Sequence, residues 1–97
     1  MEYCTNDFYF SSTSVDNVKF VSEFISNIFK STINYCSEEE VEMCFTSRAI
    51  FPEYIMKEMY YRIPNKDNFN GRCLSVNYSK DYVKYHKLDE AGWYLIE

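Results

Sequence analysis

Catalytic chemistry would need a nucleophile beside a base, or ligands at metal-binding spacing, and the chain is sparing with both. His86 is its only histidine, and no G-x-S-x-G or comparable nucleophile turn accompanies it. The four cysteines, Cys4, Cys36, Cys44 and Cys73, are separated by 32, 8 and 29 positions, with no C-x-x-C pair. A zinc site would therefore have to gather its ligands from distant elements, and the spacing predicts free thiols in a reducing compartment. Only two glycines and two prolines are present, so a glycine-rich phosphate cradle cannot be built. No enzyme activity, cofactor or metal is expected.

Binding chemistry is better represented. Glu38, Glu39, Glu40 and Glu42 place four carboxylates within five positions, in a chain whose net charge is -5. Exposed to water, they are poor candidates for a raised carboxyl pKa, so acid–base catalysis is not their role. Such a cluster is either a solvated turn or an acidic prong that docks in a Lys/Arg-lined groove, where charge complementarity speeds association and selects orientation. If that groove ordinarily holds nucleic acid, the prong substitutes for phosphate. Tyr9 and Tyr35 can supply contact area, because tyrosine offers a large amphipathic surface at low entropic cost. The expected partner is thus a host protein or ribonucleoprotein complex with a basic groove.

Arg72, Lys80, Lys84, His86 and Lys87, with Tyr82 and Tyr85 among them, form a locally basic and aromatic C-terminal stretch. It carries the alternative of direct nucleic acid binding, which the overall negative charge opposes. A third reading is a homo-oligomeric subunit whose edge strands pair between copies. Met1 to Asp7 lack a basic stretch followed by an apolar run, and no segment approaches the ~18 apolar residues of a membrane span. The expectation is a soluble, cytoplasmic protein without membrane partners.

These residues must be positioned by one domain over 1–97, since a chain of 97 residues has no room for a second. Aromatic residues make up 20% of it, enough to build a packed core. Asp7 to Ser11 alternates polar and aromatic residues, the period of a half-buried strand with Phe8 and Phe10 inward. Thr13-Ser14-Val15-Asp16 reads as a helix start, and Val18, Val21, Ile25 and Ile28 make an apolar stripe for a helix over 14–31. Strands follow over 32–36 and 40–48, turning through Ser37-Glu38-Glu39 and burying Val41, Met43 and Phe45.

Pro52 and Glu53 open a second helix over 52–63 with Ile55, Met59 and Ile63 on one side. A strand over 72–79 places Leu74, Val76 and Tyr78 together on one face. Two strand-like runs over 82–87 and 93–96 extend the sheet as a hairpin. The order predicts an α+β, ferredoxin-like β-α-β-β-α-β sheet, antiparallel, with two helices on one face and a C-terminal β extension. Tyr9, Glu42, Cys44 and Thr46 then point to the uncovered side.

The stretch Phe45-Thr46-Ser47-Arg48-Ala49-Ile50-Phe51-Pro52-Glu53-Tyr54-Ile55 runs from a strand through Ser and Arg into a proline-started helix. It resembles YubB-type ferredoxin-like domains of phages and plasmids, which show a strand, an S/T-x-W-x-P-P-like junction and a helix. Ala49-Ile50-Phe51 stands where that junction carries its tryptophan and first proline. The resemblance implies the fold and brings no catalytic residues. The profile of a short acidic chain rich in Tyr, Phe, Asn and Ser is also similar in kind to small phage accessory proteins, including anti-CRISPR and other anti-defence inhibitors. That similarity implies a stoichiometric inhibitor of a bacterial nucleic-acid-handling complex.

Overall fold

The structure, a computed structural model, describes residues 2–96; Met1 and Glu97 lie outside the described residues. Tyr3–Ser12 (β1) alternates with period two, burying Cys4, Asn6, Phe8, Phe10 and Ser12. Ser14 caps the first helix, Val15–Ile28 (α1), its hydroxyl accepting from the Asn17 N–H at 3.3 Å. The Ser14 N–H donates to Ser12 Oγ at 3.0 Å and not to the side chain at the third helical position, that of Asn17. Its buried side-chain amide ties Ser12 Oγ (3.1 Å) and the Asn65 carbonyl (2.7 Å) to the helix start.

The helix is shorter than its stripe predicts. Phe29 turns extended at the C-cap and packs its ring 4.6 Å from that of Phe45, which ends helical geometry. Ser31–Cys36 (β2) and Glu40–Arg48 (β3) form the predicted hairpin. The second helix, Glu53–Arg62 (α2), begins one residue after Pro52, and Met56, Met59 and Ile63 form its buried side while Ile55 is half-buried. Both stripes have helical spacing. Trp93 decides between them, because its indole donates to the Met56 carbonyl at 2.9 Å and fixes the helix rotation.

Phe69–Asn77 (β4), a single 3-10 turn at Tyr78–Lys80, Tyr82–Asp89 (β5) and Gly92–Leu95 (β6) complete the chain. Leu74 and Val76 share a side as expected, and it is the side away from the helices; the covered side carries Phe69, Gly71, Cys73, Ser75 and Asn77. Tyr78 leaves the strand for the turn.

All six strands lie in one antiparallel sheet in the order β2-β3-β1-β4-β5-β6. The order differs from a four-stranded ferredoxin-like one by β5 and β6, which continue the same sheet beyond β4. One core joins both helices to it: Val18, Val21 and Ile25 of α1 and Met56 and Met59 of α2 pack with Phe8, Phe10, Met43, Phe45 and Leu88. Both helices therefore cover the same face, leaving the other open.

A polar network closes one end of this core. Asn6, fully buried, donates to the Phe45 carbonyl (3.2 Å) and Ser47 Oγ (2.9 Å) and accepts from Ser75 Oγ (2.6 Å). Ser47 Oγ then donates to the Ile50 carbonyl at 2.7 Å, and the Asn77 amide to the Ala49 carbonyl at 2.8 Å. Together they pin the turn before α2, where Ala49 adopts a φ of 66°.

Candidate functional site: the uncovered face of the sheet

Strand alternation sets every second side chain on the open face, and the register brings six of them into a single line. Tyr35 of β2 opposes Glu42 of β3, Glu42 opposes Tyr9 of β1, and Tyr9 opposes Arg72 of β4. Arg72 in turn opposes Lys87 of β5, and Lys87 opposes Tyr94 of β6. A bulge between Ile33 and Tyr35 brings Tyr35 opposite Glu42, while Ile33 opposes the buried Met43. The row reads tyrosine, acid, tyrosine, base, base, tyrosine across the whole sheet.

Tyr9 is held by contacts on two sides. Its hydroxyl donates to Glu40 Oε2 at 2.8 Å, and the Arg72 guanidinium lies over its ring, 4.3 Å from the centroid. The hydrogen bond to Glu40 holds the phenol pKa above its ordinary value, with burial adding to the shift. Glu42, Arg72 and Lys87 make no ion pair among the described residues. Their charges face outward.

Beside this row runs a second one of Thr32, Cys44, Asp7, Leu74 and Tyr85. Cys44 Sγ donates to Asp7 Oδ1 at 2.9 Å and accepts from the Asn34 amide at 3.4 Å. The Asp7 carboxylate is the main cause that pushes the Cys44 pKa up, which stabilises the thiol over the nucleophilic thiolate. A shallow concavity of about 430 Å³ opens among Asp7, Arg72, Leu74 and Tyr85, and another of about 210 Å³ beside Tyr9, Glu42 and Arg72.

All six residues expected to bind a partner converge on one corner of this face. Glu42, Tyr9 and Tyr35 stand in the row, and Glu40 joins through Tyr9. Glu38 and Glu39 form the exposed tip of the β2–β3 turn, where Ser37 Oγ accepts from the Glu39 and Glu40 N–H groups, each at 3.2 Å. The C-terminal basic stretch, by contrast, is divided. Arg72, Tyr85 and Lys87 face the open side, while Lys84 opposes buried Ser75 and His86 opposes buried Cys73. Lys80 pairs with Glu2 at 3.4 Å.

His86 stacks on Phe51 at 3.9 Å, and burial is the first cause that lowers its pKa. It lies on the helix-covered side, across the sheet from Cys44. The four thiols are unpaired, with Cys4 and Cys73 in the core, and no group of ligands able to hold a metal occurs among the described residues.

Asp7 and Tyr94 have no site role in the sequence reading, whereas Arg72 and Lys87 enter it through the basic C-terminal stretch that carries the nucleic-acid alternative. The signal for Lys87 and Tyr94 lies in the tight Asp89-to-Gly92 hairpin, which sets them opposite one another. Comparison of the chain with protein-family models, with curated proteins and with solved structures returned no match. Among the described residues, no helix is long and apolar enough to cross a membrane.

Proposed function

We propose that this chain is a non-enzymatic protein-binding module that docks its acidic corner into a basic groove of a bacterial nucleic-acid-handling complex and inhibits it. The observation that carries this reading is the gathering of Glu40 and Glu42 with Tyr9 and Tyr35 on an uncovered sheet face, next to the exposed Glu38 and Glu39. Carboxylates flanked by tyrosines offer what a Lys/Arg-lined groove selects: charge for steering and rigid amphipathic area for residence. The inhibitor would act in the host cytoplasm, in the manner of the anti-defence proteins that the chain's profile resembles. The first four strands, in the order β2-β3-β1-β4, supply the ferredoxin-like frame in this reading, and β5 and β6 widen it.

The test is capture from a bacterial lysate with the natural chain and with Glu38, Glu39, Glu40 and Glu42 all changed to Lys. The charge-reversed protein should keep its far-ultraviolet circular dichroism and lose the partner. Undiminished capture would sink the proposal.

A second reading is favoured by Arg72 lying over Tyr9 in line with Lys87 and Tyr94, which supports single-stranded nucleic acid bound along the same face. Asp7, Glu40 and Glu42 share that face and repel phosphate. A titration against single-stranded RNA and DNA at about 50 mM salt, where phosphate contacts are strongest, separates the two.

A further inference from the structure

The line of side chains across the open face is self-complementary. From β2 to β6 it reads Tyr35, Glu42, Tyr9, Arg72, Lys87, Tyr94. Turned about a two-fold axis parallel to the strands and passing between β1 and β4, a second copy presents the same line in reverse. Tyr35 then meets Tyr94 of the other copy, Glu42 meets Lys87, and Tyr9 meets Arg72. The geometry points to an isologous dimer in which two copies of this chain pack their open sheet faces together.

Charge selects this orientation. Glu42 and Lys87 stand on β3 and β5, each one and a half strand spacings from the axis, or about 7 Å. The alternative two-fold axis, perpendicular to the strands, would lay β3 on β3 and bring acid against acid. Sheets packed face to face lie about 10 Å apart, with strand directions within about 30° of one another. At 7 Å from the axis, a 30° rotation displaces Glu42 from Lys87 by roughly 4 Å, within reach of both long side chains. Each dimer contains this pair twice by symmetry.

The neighbouring side chains combine apolar groups that burial favours with two carboxylates, Asp7 and Glu40, that it disfavours. Leu74 and Val83, 39% and 59% exposed, lie on this face and would be covered. Asp7 comes to lie opposite Leu74, and its carboxylate already accepts from Cys44. Glu40, nearer the rim, is held by Tyr9. The molecule measures 38 × 25 × 19 Å, so its broad face is large enough to supply the ~800 Å² per partner of a standard interface. Among the described residues, Glu42, Arg72 and Lys87 have no ion pair to surrender on association.

The test is the solution mass of the full chain, by light scattering after size exclusion, from about 1 to 100 µM, where a micromolar interface dissociates. A concentration-dependent dimer is expected for the natural protein. Glu42→Lys and Lys87→Glu, made singly, bring like charges together at both copies of the pair and should each raise the dissociation constant at least about tenfold. The double variant restores opposite charges and should regain the dimer. Both positions are solvent-exposed in the monomer, and circular dichroism checks that each variant folds.

A natural chain that stays monomeric throughout overturns the inference, as do single variants that dimerise unchanged or a double variant that stays monomeric. Glu42, Tyr9 and Tyr35 belong to both surfaces, and the two readouts, solution mass and partner capture, tell the proposals apart. A monomer whose capture of a partner depends on the glutamates would overturn the dimer alone, and a dimer whose capture ignores them would overturn the other reading alone.

Discussion

Replacing Asn6 by Ala should unseat the turn that leads into α2, even though Asn6 lies on β1 and touches neither helix through a hydrogen bond. The amide fills a fully buried site and links β1, β3 and β4. Its loss leaves the Ser75 hydroxyl, now 2.6 Å from Oδ1, and the Phe45 carbonyl each short of a partner. A buried polar group so stranded costs about 1–3 kcal/mol, and the void left by the amide adds about 0.5–1 kcal/mol. The sum, about 2.5–5 kcal/mol allowing for partial relaxation, is a large share of the roughly 5–15 kcal/mol typical of a domain.

Urea unfolding followed through Trp93 is the assay. With a slope near 1.5 kcal/mol/M, the midpoint should fall by about 2–3 M if the wild-type midpoint is high enough to permit it. If the variant is already unfolded in buffer, an unfolding curve in a stabilising osmolyte still measures the difference. A cycle with Ser75→Ala separates the hydrogen bond from the void, since removing both partners should cost about 1 kcal/mol or more less than the sum of the single changes. A midpoint shift below about 0.5 M, or strict additivity in that cycle, would refute the network's role.

Gly71→Ala should lower the melting temperature with a cost of about 1–3 kcal/mol, because the added Cβ would stand 2.8 Å from the Tyr9 carbonyl on the adjacent strand; an unchanged melting curve contradicts the close approach. His86 has its pKa lowered from 6.5, chiefly by burial, so the unfolded state binds its proton more readily than the folded one. Its contribution to stability is complete above pH 6.5, declines as pH falls through the window down to the folded pKa, and should vanish from the pH profile in His86→Phe. Glu53 opposes the shift and Lys84 reinforces it, which makes Glu53→Gln the variant that should steepen the profile. Thiol labelling of the folded protein should modify exposed Cys36 first and the half-buried Cys44 slowly. Cys4 and Cys73 should react only on unfolding, since burial pushes the Cys73 pKa to about 12 and raises that of Cys4; rapid labelling of all four thiols would show that the core opens.

Local patterns were readable wherever a single element set them. The aromatic alternation of β1 and the β3 boundaries at Glu40 and Arg48 follow from period two and from the polar Ser37-Glu38-Glu39 turn. The strand expected over 72–79 instead runs Phe69–Asn77, and at Gly71 it passes so near β1 that an added Cβ would stand 2.8 Å from the Tyr9 carbonyl. The end of α1 was set by the distant ring of Phe45, and the rotation of α2 by the indole of Trp93. Neither lies within the helix it governs.

The same distinction governs the candidate site. Tyr9 and Glu42 could be placed on the open face from the alternation of their own strands, and the acidic residues fall close together in sequence. The basic residues of β5 also fall close together, and for that reason mislead. Lys84 and His86 have one parity while Tyr85 and Lys87 have the other, so a strand sends neighbours to opposite faces of the sheet. What joins Glu42 to Lys87 is a chain of three registers through Tyr9 and Arg72, and a slip of one residue in any of them would put Glu42 and Lys87 on opposite faces of the sheet. The mirror order of acid and base across the face is thus a property of the assembled sheet. Composition reports a net charge of -5 for the whole chain, whereas the open face is divided into an acidic half on β1–β3 and a basic half on β4–β5. A surface divided in that way recognises a partner by the order of its charges, and a second copy of this chain carries that order in reverse.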